Sequence, residues 1–70
     1  MSGVDKQEVD RAVRQLLADF PGQENEPSLL EDAARLVESG KDPEVEGREL
    51  QLAVGRALRK RAMASRSRGL

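Results

Sequence analysis

Apolar residues recur along this chain in three blocks, each spaced by three and four and separated by connectors carrying proline or glycine. That spacing is the helical period, so each block predicts an amphipathic helix. In the first, Val9, Val13, Leu16, Leu17 and Phe20 share one stripe. Asp5 with Glu8 forms a capping-box pattern, and Val4 and Val9 flank it at the spacing of a hydrophobic staple. Pro21 and Gly22 supply the stop, which places this helix at about 5–20.

The polar connector "PGQENEP" leads to "SLLEDAARLVESG". Ser28 and Glu31 repeat the capping-box pattern, and Gly40 sits where a left-handed C-cap belongs. The expected span is about 28–39. Leu29, Leu30, Ala33, Ala34, Leu36 and Val37 cover a wide arc of this helix, with Glu31, Asp32, Arg35 and Glu38 on the other side.

"KDPEVEG" then offers Asp42 as N-cap and Pro43 as first helical residue, predicting a third helix over about 43–63. Leu50, Ala53, Val54, Ala57 and Leu58 form its core stripe. On the same helical projection Val45, Leu52 and Met63 gather on the opposite side. A helix apolar on two sides is normally buried on two sides, so these three residues mark a candidate protein interface. The closing "SRSRGL" has no periodic apolar content and is expected to be a flexible basic tail over 65–70. The pattern therefore specifies an all-α, up-down-up three-helix bundle, one domain over 1–64 with that tail appended.

Size changes what this pattern implies. A chain of 70 residues buries only about 60% of its unfolded surface, and such folds usually need a further source of stability. Cysteine and histidine are both absent, which removes disulfides, thiolate or imidazole metal sites and the commonest general bases and nucleophiles. Self-association or a protein partner is what remains. No apolar run is long enough to cross a bilayer, and no signal-peptide layout is visible, so a cytoplasmic protein is expected.

Net charge is −1, but its distribution is uneven. Residues 1–49 hold thirteen acids and six bases, whereas residues 50–70 hold six bases and no acid. Arg56, Arg59, Lys60, Arg66 and Arg68 are candidate contacts for nucleic acid or for an acidic protein, and Arg61 lies on the core side of the helix end. The structural alternative is that acids at a helix start and bases at its end complement the helix dipole. No aromatic residue stands near to stack a base, and a helix beginning with acids has the wrong sign for a recognition helix.

Two motif fragments fall short. Asp42, Glu44, Glu46 and Gly47 fit the opening of a calcium loop, but its twelfth position is Ala53 where a bidentate glutamate is required. The "SGK" at 39–41 lacks the rest of a phosphate-binding loop. Every carboxylate falls at a cap, on a polar helix side or in a connector, which predicts no enzyme, cofactor, metal or small-molecule substrate. The favoured reading is a small non-enzymatic interaction module, an adaptor, co-chaperone or regulator binding a partner or itself through helix 3. The alternative is a small nucleic-acid-binding regulator acting through the basic end of that helix.

Overall fold

A computed structural model describes residues 3–68 and contains three helices: α1 (Lys6–Ala18), α2 (Pro27–Glu38) and α3 (Arg48–Arg68). The all-α three-helix architecture expected from the periodicity is present. Contacts between the start of α2 and the end of α3, and between the end of α2 and the middle of α3, make these two antiparallel. They form the main seam of the molecule; α1 packs on α3 less extensively and barely meets α2.

The core follows from the stripes. Ala12, Val13 and Leu17 of α1 meet Leu30, Ala34 and Val37 of α2 and Val54, Leu58 and Ala62 of α3, all buried. Leu50, Ala57, Leu16 and Leu29 pack at its edge, half-buried. Leu30 and Leu58 are the largest side chains removed completely from water.

Helix boundaries differ from expectation where local hydrogen bonding decides them. Asp5 is the N-cap of α1, but its side chain caps nothing, so the Asp5–Glu8 box does not form. α2 begins one residue early, with Glu26 as N-cap and Pro27 in the first turn, because proline's fixed φ and missing N–H suit that position better than Ser28. Its C-terminus closes as predicted: Gly40 takes a φ of 79° and donates its N–H to the Val37 carbonyl at 3.0 Å.

The largest difference is at the start of α3. The Asp42 carboxylate accepts the Glu44 N–H at 2.9 Å, and the Asp42 carbonyl accepts the Val45 N–H at 3.3 Å. Asp42-Pro43 thus begins a side-chain-stabilised turn, with Pro43 at the position that turn favours, and not a helix. Gly47 follows with a φ of 93°, outside helical geometry, and its carbonyl accepts the Gln51 N–H as the first bond of α3. Because 42–47 is not helical, projecting Val45 on a helical wheel misplaces it. The turn sends Val45 into the core, where it is 1% exposed, and the Gln51 side-chain amide holds its carbonyl at 3.3 Å.

The far end of α3 also departs from expectation, since residues 65–68, expected to be flexible tail, continue the helix to Arg68. Tertiary contacts supply what apolar periodicity lacks there. Ser65 Oγ donates to the Asn25 carbonyl, and Arg66 Nη2 lies 2.7 Å from Glu31 Oε2. The remaining two residues of the expected tail, 69–70, lie outside the described residues.

Candidate functional site

The three residues expected to form an interface on helix 3 do not form one surface. Val45 belongs to the core, which is a correction with the physical cause just given. Leu52 is 39% exposed and Met63 70% exposed. Eleven residues of helix separate them, about 16 Å of rise, and Arg56 and Arg59 occupy the same stripe in between. Two apolar side chains divided by two guanidinium groups are isolated surface residues.

The basic residues are divided as well. Arg59 makes a bidentate pair with Glu38, Nη2 to Oε1 at 2.7 Å and Nε to Oε2 at 3.1 Å. That hydrogen bond holds the Glu38 carboxyl below its ordinary range and raises the Arg59 guanidinium. Arg66 is paired with Glu31, and Arg61 Nε donates to the Glu24 carbonyl at 3.0 Å. Arg48 caps the end of α2, reaching the Glu38 carbonyl at 2.5 Å. Arg56, Lys60 and Arg68 are exposed and form no ion pair among the described residues. Three of the six bases in residues 50–70, Arg59, Arg61 and Arg66, are therefore spent inside the molecule on acids of α2 and a carbonyl of its preceding connector.

A different surface brings its apolar side chains together. Leu16 and Phe20 from the end of α1, with Leu29, Ala33 and Leu36 from α2, line a cleft of about 150 Å³ whose one charged lining residue is Asp32. It exists because α1 and α2 both lean on α3 and hardly on each other. Leu30, Ala34 and Val37 use one half of the wide α2 arc against α3, leaving Leu29, Ala33 and Leu36 for the cleft. Phe20 lies beyond the last turn of α1 and is 41% exposed, and Leu36 is 47% exposed. Sequence reasoning assigned both to a generic core. The available signal was the width of the α2 arc, six apolar positions where a single neighbouring helix buries three.

A second groove runs between α1 and α3. Val9, Val13 and Ala57 form its floor, with Lys6, Lys60 and Asp10 on its walls. Glu24, in the connector between α1 and α2, has its carboxyl held below the ordinary range by the Gly22 N–H at 2.9 Å. No group of three or more residues able to hold a metal ion occurs among the described residues. None of their helices is long and apolar enough to cross a membrane.

Comparison with known proteins gives no match: no family model, no curated protein and no solved structure aligns with this chain.

Proposed function

We propose that this chain is a cytoplasmic, non-enzymatic protein-interaction module, an adaptor, co-chaperone or regulator, whose binding surface is the α1/α2 cleft. The observation that supports this reading is the position of Phe20. A chain with one aromatic residue and a minimal core leaves that residue 41% exposed beside a 47% exposed leucine. Apolar side chains gathered in a concave site between two helices are the usual receptor for an apolar anchor from another protein. The small core strengthens the argument, because a bound partner stabilises the folded state by mass action.

Nucleic-acid binding has less support. Its affinity would come from free cations along α3, and Arg59 and Arg66 are engaged with carboxylates of α2. The two readings separate in one capture experiment from a lysate of the native host, with and without nuclease, comparing wild type, Leu36→Asp and Leu52→Asp. The cleft reading expects nuclease-resistant protein partners that Leu36→Asp loses and Leu52→Asp retains. Capture abolished by nuclease, or unchanged by Leu36→Asp in a folded variant, overturns it.

A further inference from the structure

We infer that the occupant of the α1/α2 cleft is a basic amphipathic helix of a partner protein, presenting one or two aliphatic anchors between lysine or arginine residues. This rests on the interaction reading above and specifies the partner's chemistry.

The size of the site selects the kind of occupant. At their observed exposures, Phe20 and Leu36 together offer on the order of 150 Å² of apolar side chain. The half-buried Leu16, Leu29 and Ala33 bring the total to roughly 200–300 Å², far below the ~800 Å² per partner of a stable protein–protein interface. A second folded copy meeting this face alone would therefore gain too little. A single helix is about 10 Å across and presents anchors three and four residues apart, which suits a cleft flanked by two helices.

Charge selects the sign of the flanks. Residues 19–40, which supply all of α2 and the Phe20 wall, contain six acids and one base, Arg35. Glu31 and Glu38 are matched by Arg66 and Arg59, and Glu24 accepts the Gly22 N–H. Asp19, Glu26 and Asp32 are left against Arg35. Asp32 lines the cleft, its carboxylate 74% exposed and only 4.0 Å from the Arg35 guanidinium at closest. The bases of α1 lie elsewhere: Arg11 and Arg14 line a different surface with Gln7 and Asp10, and Lys6 lines the α1/α3 groove. One exposed carboxylate lining the cleft, in a segment whose acids outnumber its bases six to one, favours cationic flanks in register with an apolar anchor and disfavours anionic ones.

The test uses the full chain and two synthetic amphipathic helices with identical leucine positions, one carrying lysines and the other glutamates on the polar face. Binding is followed by NMR on the methyl groups of Leu16, Leu29 and Leu36 and the ring of Phe20. The lysine peptide is expected to shift these resonances and to bind at least about tenfold more tightly than the glutamate peptide. That preference should shrink as salt is raised and in Asp32→Lys, whose exposed site tolerates the change. Equal binding of both peptides at the cleft overturns the charge assignment while leaving the interaction reading standing. Shifts confined to α3, or no shift with either peptide, overturn the cleft as a helix receptor. Broadening of the Phe20 and Leu36 resonances with protein concentration alone would make a second copy the occupant and overturn the inference in that way. The interaction reading itself falls separately, if nuclease abolishes native capture or if a folded Leu36→Asp leaves it intact.

Discussion

The Glu38 side chain reaches Arg59 by lying across the α carbon of Gly55, and the two positions are coupled by space alone. A Cβ built at position 55 would stand 2.5 Å from Glu38 Cγ and 2.5 Å from its Oε2, closer than carbon atoms approach. Gly55 is buried within α3, one turn before Arg59 on the same face, so its missing side chain is the slot through which the carboxylate passes. By propensity alone, a glycine inside a helix is only a cost.

Replacing Gly55 by alanine sets two terms against each other. Alanine gains about 1 kcal/mol of helix propensity. It also drives Glu38 out of its slot and breaks an ion pair that, with Arg59 48% exposed, returns less than a buried pair would. The expected result is a small net change in wild type. In a Glu38→Ala background the full gain of about 1 kcal/mol should appear, because nothing is displaced. Urea unfolding of the four proteins of this cycle measures the coupling. Equal effects of Gly55→Ala in both backgrounds would show that the slot is not used.

The same pair gives a pH dependence with a defined sign. The Arg59 hydrogen bond lowers the Glu38 carboxyl from its ordinary 4.5 in the folded chain. The unfolded state therefore takes up the proton first as pH falls. The stabilisation is complete above the ordinary value and is lost as pH drops through the folded one. Carboxyl ¹³C titration should place Glu38 below its ordinary 4.5 in wild type and move it back up in Arg59→Gln. The difference in melting temperature between the two proteins should narrow on acidification.

Val45 distinguishes the core from the surface in a region where the sequence pattern misled. As a residue 1% exposed, it should lose about 2 kcal/mol on Val45→Ala, through lost transfer energy and the cavity left behind. Met63→Ala, at 70% exposure, should stay within about 0.5 kcal/mol of wild type. A neutral Val45→Ala in chemical denaturation would contradict the turn geometry that Asp42 and Gly47 impose.

What was legible in the sequence was whatever depends on period and propensity. Three stripes gave three helices, and Gly40 gave the left-handed cap. The boundary of α3 was not legible because Asp42-Pro43 begins a turn and a helix with the same residues; the choice is made by Gly47, whose φ a helix cannot use. The end of α3 was not legible because Ser65 and Arg66 are held by Asn25 and Glu31, forty and thirty-five positions away in sequence. The cleft was missed for a related reason. A wide apolar arc shows how much surface a helix must cover, but only the lean of α1 toward α3 decides which half stays open.

Those tertiary contacts at the end of α3 have a direct consequence for local stability. Amide hydrogen exchange should be slowed through residues 62–66, beyond the point where apolar periodicity stops, since opening this turn requires releasing Glu31 and the 24–25 carbonyls. Arg66→Ala and Ser65→Ala together should raise exchange rates there severalfold while leaving Val54 and Leu58 amides protected. Rapid exchange from Ala64 onward in the wild-type chain would restore the flexible tail that composition suggested.

Leu30 and Leu36 share one helix and one residue type, and the structure gives them opposite work. Leu30 is fully buried against α3, so Leu30→Ala should cost about 3 kcal/mol, a large part of what so small a domain has. Leu36 is 47% exposed in the cleft, so Leu36→Ser should change stability by no more than about 1 kcal/mol. If the cleft is a receptor, Leu36→Ser should nonetheless abolish partner capture, and Phe20→Ser should do the same. A residue that matters for binding and not for folding is the mark of a functional surface, because apolar area left in water adds little to the folded state. Thermal or urea unfolding beside the capture assay decides the matter. Loss of capture that tracks loss of stability across the three variants would reduce the cleft to incidental exposed surface.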